Sequence, residues 1–233
     1  MRIAGFQKLT LLDYPGTVAC ILFTPGCNFR CPFCQNAPLL EDPAEEIAPD
    51  EVLAYLAKRR GIVEGLVVSG GEPLLQPDLP DFLREVKALG CKVKLDTNGS
   101  FPKRLAGLLA DGLTDYVAMD IKHRRENYFF VTGLDNGEVL PRVEAGMALL
   151  RDAAVPCEFR TTFVKGIHTP EDAGAIGLWI GGSLPYYLQN YEDSGNILMP
   201  EGLSPFSAEE MAEALSFAQK SCPKAALRGV GRT

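Results

Sequence analysis

The sequence predicts an α/β fold, an incomplete (β/α)6 TIM-like barrel of parallel strands that is open laterally. Three observations carry that expectation. Apolar runs of strand length alternate with helical patterns along most of the chain, which calls for right-handed crossovers and a parallel sheet. Charged side chains recur at one parity within several strands, so one face of the sheet is polar. Residues suited to binding chemistry fall directly after strand ends, where barrel enzymes build their sites.

The elements follow in order. Residues 1–16 read as an arm ahead of the barrel, 17–190 as its core, and 191–233 as a loop and helix behind it, all within one domain, 1–233. Strands are predicted at 17–24, 65–69, 92–96, 115–120, 157–164 and 185–189. Helical patterns occupy about 50–60, 78–89, 101–111, 138–153 and 170–180. Thr169 is placed as the cap of the helix at 170–180, with Pro170 in its first turn and Glu171 and Asp172 at its positive end. The last helix opens at Ser207-Ala208-Glu209-Glu210, a capping-box pattern, with Met211, Leu215, Phe217 and Ala218 as its apolar side. The Gly- and Pro-containing stretch 192–204 is expected to be flexible.

Composition excludes several classes. Among 233 residues, 46% are hydrophobic and 23% charged, enough apolar content to rule out intrinsic disorder and fill a core. No apolar run approaches the ~18 residues of a membrane span. The start lacks the long apolar stretch of a secretory signal, so a cytoplasmic protein is expected. A net charge of −7 argues against nucleic-acid and membrane partners.

Strand parity separates a barrel from a sheet covered on both faces, whose strands would be almost continuously apolar. Lys92, Lys94 and Asp96 alternate with Val93 and Leu95; Asp120 and Lys122 share one parity; Glu158, Arg160 and Thr162 share another, and Gln189 ends the last strand. With helices on the outside, this charge lines the concave interior of an open barrel holding a polar ligand. The alternative is that these charges lie on an exposed edge.

Cysteine usage gives the sharpest signal. Of seven cysteines, Cys27, Cys31 and Cys34 crowd into eight residues straight after the first strand. In a cytosolic chain such clustering reads as metal ligation or redox chemistry. An iron–sulfur cubane usually takes four thiolates, so three would leave one iron with an open position. Cys20, Cys91 and Cys157 read as buried hydrophobes, and Cys222, in the tail, stays open as a fourth ligand. A zinc site of the three cysteines with His123 or His168 is the alternative.

Cys27-x3-Cys31-x2-Cys34, with Phe33 before the last cysteine, resembles the signature of radical S-adenosylmethionine enzymes. Ser69-Gly70-Gly71-Glu72-Pro73 follows the second strand as that family's GGEP motif does; Asp96-Thr97-Asn98-Gly99 follows the third, and Asp120-Ile121-Lys122 ends the fourth. More narrowly, Gly5-Phe6-Gln7-Lys8, Leu95-Asp96-Thr97-Asn98-Gly99, Ala118-Met119-Asp120-Ile121-Lys122 and Glu158-Phe159-Arg160-Thr161-Thr162 resemble activating proteins of anaerobic (class III) ribonucleoside-triphosphate reductase, within the glycyl-radical enzyme activases. Gln35 departs from the His that many relatives carry after the last cysteine.

The resemblance implies a 4Fe-4S cluster on Cys27, Cys31 and Cys34, with S-adenosylmethionine chelated at the open iron. It implies that backbone groups of Gly70, Gly71 and Glu72, beside Ser69, meet the amino group, and that Lys122 pairs with the carboxylate. Asp96 and Thr97 would contact the amino or ribose part, Asp120 a ribose hydroxyl or a monovalent cation, and Phe33 the adenine. Arg160 and Gln189 are candidates for further ligand contacts. The implied reaction is reductive cleavage to methionine and a 5′-deoxyadenosyl radical, which takes a hydrogen from a glycine of a glycyl-radical enzyme. The electron comes from a flavodoxin- or ferredoxin-type donor. No second cysteine cluster follows Cys34, so one cluster is expected. Two other readings remain: the same chemistry on a small molecule such as a deazapurine precursor, and a non-catalytic iron–sulfur or zinc protein.

Overall fold

Eight strands form one sheet in the computed structural model, which describes residues 1–41, 43 and 45–229. They are β1 (Gly5–Thr10), β2 (Ala19–Thr24), β3 (Gly65–Gly70), β4 (Lys92–Thr97), β5 (Tyr116–Asp120), β6 (Cys157–Phe163), β7 (Tyr186–Asn190) and β8 (Ala225–Arg228). Spatial order follows chain order; β1 pairs antiparallel with β2 and every other pair is parallel. No pairing joins β8 back to β1 among the described residues, so the sheet curls without closing. The helices are α1 (Pro49–Lys58), α2 (Leu79–Ala88), α3 (Pro102–Ala110), α4 (Tyr128–Thr132), α5 (Asn136–Arg151), α6 (Asp172–Ile180) and α7 (Ala208–Gln219). None is long and apolar enough to cross a membrane.

All six predicted strands are present, and two more were not anticipated. The arm 1–16 contributes β1 as an antiparallel edge, and the tail contributes β8 beside β7. Residues 230–233 of the predicted C-terminal segment lie outside the described residues. Thr169 is not the cap of α6: the helix begins at Asp172, whose carboxylate instead accepts the Thr169 N–H at 2.8 Å. Ser207 does cap α7, with both bonds of the capping box formed. The 192–204 segment, expected to be flexible, is tied to the cysteine loop: Met199 N–H donates to Pro32 O at 2.9 Å and Leu198 N–H to Cys34 O at 3.3 Å.

The two faces of the sheet divide as parity requires. On the outer face Leu22, Leu66, Val68, Val93, Leu95, Val117, Met119 and Phe159 are fully buried, in one core with Leu56, Leu83, Val86, Leu105, Val143 and Ile176 of the helices. Each such side chain contributes about 1.5–3 kcal/mol of burial. On the inner face a separate apolar cluster of Tyr14, Ala19, Ile21 and Val67, flanked by Phe23 and Tyr116, lies on the β2–β3 side. The lumen is therefore not polar throughout. The charged inner positions sit on β4, β5 and β6, each paired on both sides, which rules out the exposed-edge alternative. Lys92 alone, at the start of β4, is exposed.

Candidate active site

The parallel strands deliver the loops after β2, β3, β4, β5 and β7 to one end, around a cavity of about 370 Å³. Cys27, Cys31, Phe33, Cys34, Ser69, Gly70, Gly71, Asp96, Thr97, Asp120, Lys122, Arg160 and Gln189 all line it. Of the residues predicted from sequence, Glu72 is the one that does not.

Local chemistry explains the cysteine loop. β2 runs out into Pro25-Gly26, and Gly26 N–H donates to Leu39 O at 2.6 Å. Arg30 N–H donates to Thr132 O at 2.9 Å, and a tight turn brings Cys34 N–H to Cys31 O at 3.0 Å. The loop is thus pinned at several points. Burial pushes the Cys27 thiol up to about 11 and that of Cys31 up to about 12.

The two glycines at the end of β3 are required by the backbone of that same loop. A Cβ on Gly71 would stand 2.0 Å from Gly26 O, and one on Gly70, whose φ is +123°, 2.3 Å from Thr24 N. Their amides are engaged there too: Gly71 N–H donates to Thr24 O and Glu72 N–H to Gly26 O, both at 2.9 Å. Carbonyls therefore remain to face a ligand, and Gly70 O already accepts from Asn36 Nδ2 at 3.1 Å.

Glu72 points inward, with no exposed surface. Its Oε1 accepts from Leu74 N–H at 3.0 Å and Thr97 Oγ1 at 2.8 Å, and its Oε2 from Asn98 N–H at 2.7 Å. Its side chain fastens the β3 loop to the β4 loop instead of meeting a ligand.

The charged inner face is one alternating network. Asp120 Oδ1 accepts from Arg160 Nε at 2.9 Å and its Oδ2 from Lys122 Nζ at 3.1 Å. Arg160 and Asp120 are register neighbours, and small Ala118 opposite Asp96 leaves room for Arg160 Nη1 to approach Asp96 Oδ1 at 3.4 Å. Lys94, almost wholly buried, donates to that same Asp96 oxygen. Burial alone would raise the Asp120 carboxyl, but Arg160 and Lys122 override it and hold it at about 2. Burial would likewise lower Lys122, and its pairing with Asp120 keeps it charged instead.

Phe33 is buried with its ring edge-on to His168, 5.7 Å between centroids. His168 and His123 stack at 4.5 Å, and both ring nitrogens of each are occupied by backbone groups. Burial, then His123, drives His168 down to about 3, so it is neutral. Neither histidine is free to join the cysteines. Among the described residues no three His, Cys, Asp or Glu groups converge on one metal ion, so the mononuclear zinc reading has no site. Cys222 is not a fourth ligand: its Sγ lies against Gly177 O and Gly181 O, where α6 meets the end of α7. Three thiols on one cavity wall suit a polynuclear cluster in which separate irons each take one sulfur.

Sequence reasoning did not assign Asn28, Asn36, Asn98, Asn190, Glu192 or Arg228, which line the cavity or brace it. Asn28 lies within the cysteine motif and Asn98 within the β4 turn, so proximity was a usable signal for both. Arg228 had none, because it arrives on β8.

The radical SAM superfamily profile matches residues 21–173. A Methanocaldococcus jannaschii protein provisionally named a glycyl-radical enzyme activating enzyme is 31% identical over 193 residues, 82% of this chain and 80% of its own. The pyruvate formate-lyase-activating enzyme of Staphylococcus epidermidis is 29% identical over 93% of this chain and 94% of its own. Among solved structures, Streptococcus suis SuiB bound to S-adenosylmethionine aligns with TM-score 0.66 at 15% identity, over 90% of this chain; the chain spans about half (52%) of that longer protein. A domain of the Bacteroides vulgatus pyruvate-formate lyase-activating enzyme aligns with TM-score 0.54 at 17% identity, covering 71% of this chain and 99% of that one. With the profile spanning most of the barrel and a relative of this identity along most of its length, the chain belongs to the radical SAM superfamily, as an enzyme related to the glycyl-radical enzyme activases.

Proposed function

We propose that this protein is an activase that installs a glycyl radical on a partner enzyme. Family membership implies a 4Fe-4S cluster and S-adenosylmethionine. The observation that carries the reading is a cavity that gathers three thiols, a lysine and two aspartates at one end of a sheet whose strands β1 and β8 do not pair. When bound, the cluster supplies the electron that cleaves the sulfonium, releasing methionine and a 5′-deoxyadenosyl radical.

This chain's residues do the rest. Cys27, Cys31 and Cys34 hold the cluster and leave one iron for the amino acid end of S-adenosylmethionine. Lys122, kept charged by Asp120, meets its carboxylate, and the carbonyls of Gly70 and Gly71 its amino group. The second carboxylate oxygen of Asp96, whose Oδ1 faces Lys94 and Arg160, accepts from the amino group or a ribose hydroxyl. The buried ring of Phe33 would back the adenine. The open side of the sheet admits a glycine-bearing loop. The sequence likeness to class III ribonucleotide reductase activases makes that enzyme the proposed partner, with a flavodoxin- or ferredoxin-type donor as reductant.

Anaerobic reconstitution, reduction and addition of S-adenosylmethionine should yield 5′-deoxyadenosine, abolished in Cys31→Ala. Electron paramagnetic resonance should then show a glycyl radical on an added class III reductase. A signal only on pyruvate formate-lyase would change the partner, and tight lumen binding of a deazapurine precursor with no protein signal would overturn the activase reading. Lys122→Ala should weaken S-adenosylmethionine binding at least tenfold while iron content stays unchanged, measured by equilibrium dialysis.

A further inference from the structure

Hydrogen bonds distinguish Cys27 from the other two cysteines. Its Sγ accepts from Phe29 N–H at 3.3 Å and faces Asn98 Nδ2 at 3.9 Å, whereas among the described residues no donor reaches Cys31 or Cys34 Sγ. The orientation of the Asn98 amide follows from its partners. Its Oδ1 accepts from Ser100 N–H at 2.9 Å and from Ser100 Oγ at 2.6 Å. A backbone N–H can only donate, so the carbonyl end of the amide faces Ser100 and the amino end turns the other way. There Nδ2 donates to Asn28 Oδ1 at 3.0 Å, and Asn28 Nδ2 returns to Ser100 Oγ at 2.9 Å, closing a ring. The Asn98 backbone is itself held by Glu72. Asn98 and Ser100 are both buried, which limits competition from water for these groups.

Resting on the reading that Cys27 is a cluster ligand, we propose that Asn98 is a positioning residue whose locked amide donates to the Cys27 sulfur and makes the cluster easier to reduce. Reduction places extra negative charge on the cluster and its thiolates, and an N–H dipole aimed at a ligand sulfur stabilises that charge. A neutral amide does so without adding a counter-ion that would compete with Lys122.

The test is a redox titration of the reconstituted cluster in the absence of S-adenosylmethionine, followed by electron paramagnetic resonance, on the wild type, Asn98→Leu and Asn98→Asp. Asn98→Leu fills the space without a donor; Asn98→Asp keeps the acceptor for Ser100 and removes the amino donor. Both should retain about four iron per chain, as for a cubane. Both should shift the reduction equilibrium toward the oxidised form by roughly threefold to tenfold, about 30–60 mV more negative at 59 mV per decade for one electron. Unchanged potentials with full iron content would overturn the proposal, and so would loss of the cluster from both variants, which would make Asn98 purely structural. A wild type that assembles no cluster would instead overturn the ligand reading beneath it.

Discussion

At Gly71 a missing side chain decides whether two loops can meet. A methyl group there would sit 2.0 Å from the carbonyl of Gly26, one residue before Cys27, and neither partner is a flexible side chain. Gly71→Ala should cost about 1–3 kcal/mol as an overpacked contact and, because the strain falls on the cysteine loop, should lose most of its bound iron on reconstitution. Beside it, burial raises the Glu72 carboxyl to about 7 despite three donors that favour the anion. A raised acid binds its proton more tightly in the folded state. Its stabilising contribution is therefore complete below the ordinary carboxylate range and is lost as pH rises through about 7. Thermal melts of metal-free protein should show that loss between about pH 5 and 8, and Glu72→Gln should remove it. The same variant should melt lower at every pH, since its amino group would oppose the Asn98 N–H at a cost of about 1–3 kcal/mol.

β8 is the element that most alters the expected architecture. It extends the sheet past β7 and carries Arg228 into the lumen, over the Tyr187 ring at 3.6 Å. There the guanidinium pairs with both oxygens of Glu158, Nη2 to Oε2 at 2.9 Å, and Tyr116 OH donates to the same carboxylate. Glu158 has no exposed surface, so removing its cation leaves a buried charge held by one phenol. Arg228→Ala should destabilise by up to about 3 kcal/mol in denaturant titrations, and Glu158→Gln in the same chain should recover part of it. An unchanged midpoint would show that β8 contributes little beyond its backbone pairing.

For the molecule as a whole, the division of its seven cysteines is testable together with cluster assembly. Cys222 is buried between α6 and α7, away from the cavity, so Cys222→Ala should keep full iron content and lose only packing energy. Assembly must strip protons from thiols that burial holds at about 11 and 12. Metal affinity should therefore rise with pH across the neutral range, which iron uptake measured between about pH 6.5 and 8.5 would show. Flat uptake over that range would mean that the thiols are already ionised before iron arrives.

Much of this was determined by the sequence alone. Strand parity separates Val93 and Leu95 from Lys94 and Asp96, and the cysteine, Gly-Gly-Glu-Pro, Asp-Thr-Asn-Gly and Asp-Ile-Lys motifs each follow a strand end, so the barrel and most cavity residues were legible. These signals are local: period two fixes a face, and a motif beside a strand end inherits its position. Tertiary structure decided the rest. A four-residue strand such as β8 has too little periodicity of its own and exists because β7 offers it an edge. The sequence points to the backbone of Glu72 and gives its side chain no role, whereas the donors of the β4 loop turn that side chain inward as a brace. Partners distant in sequence create those two features, since hydrogen bonds and ion pairs between strands form only after the chain has curled and no local pattern encodes their geometry.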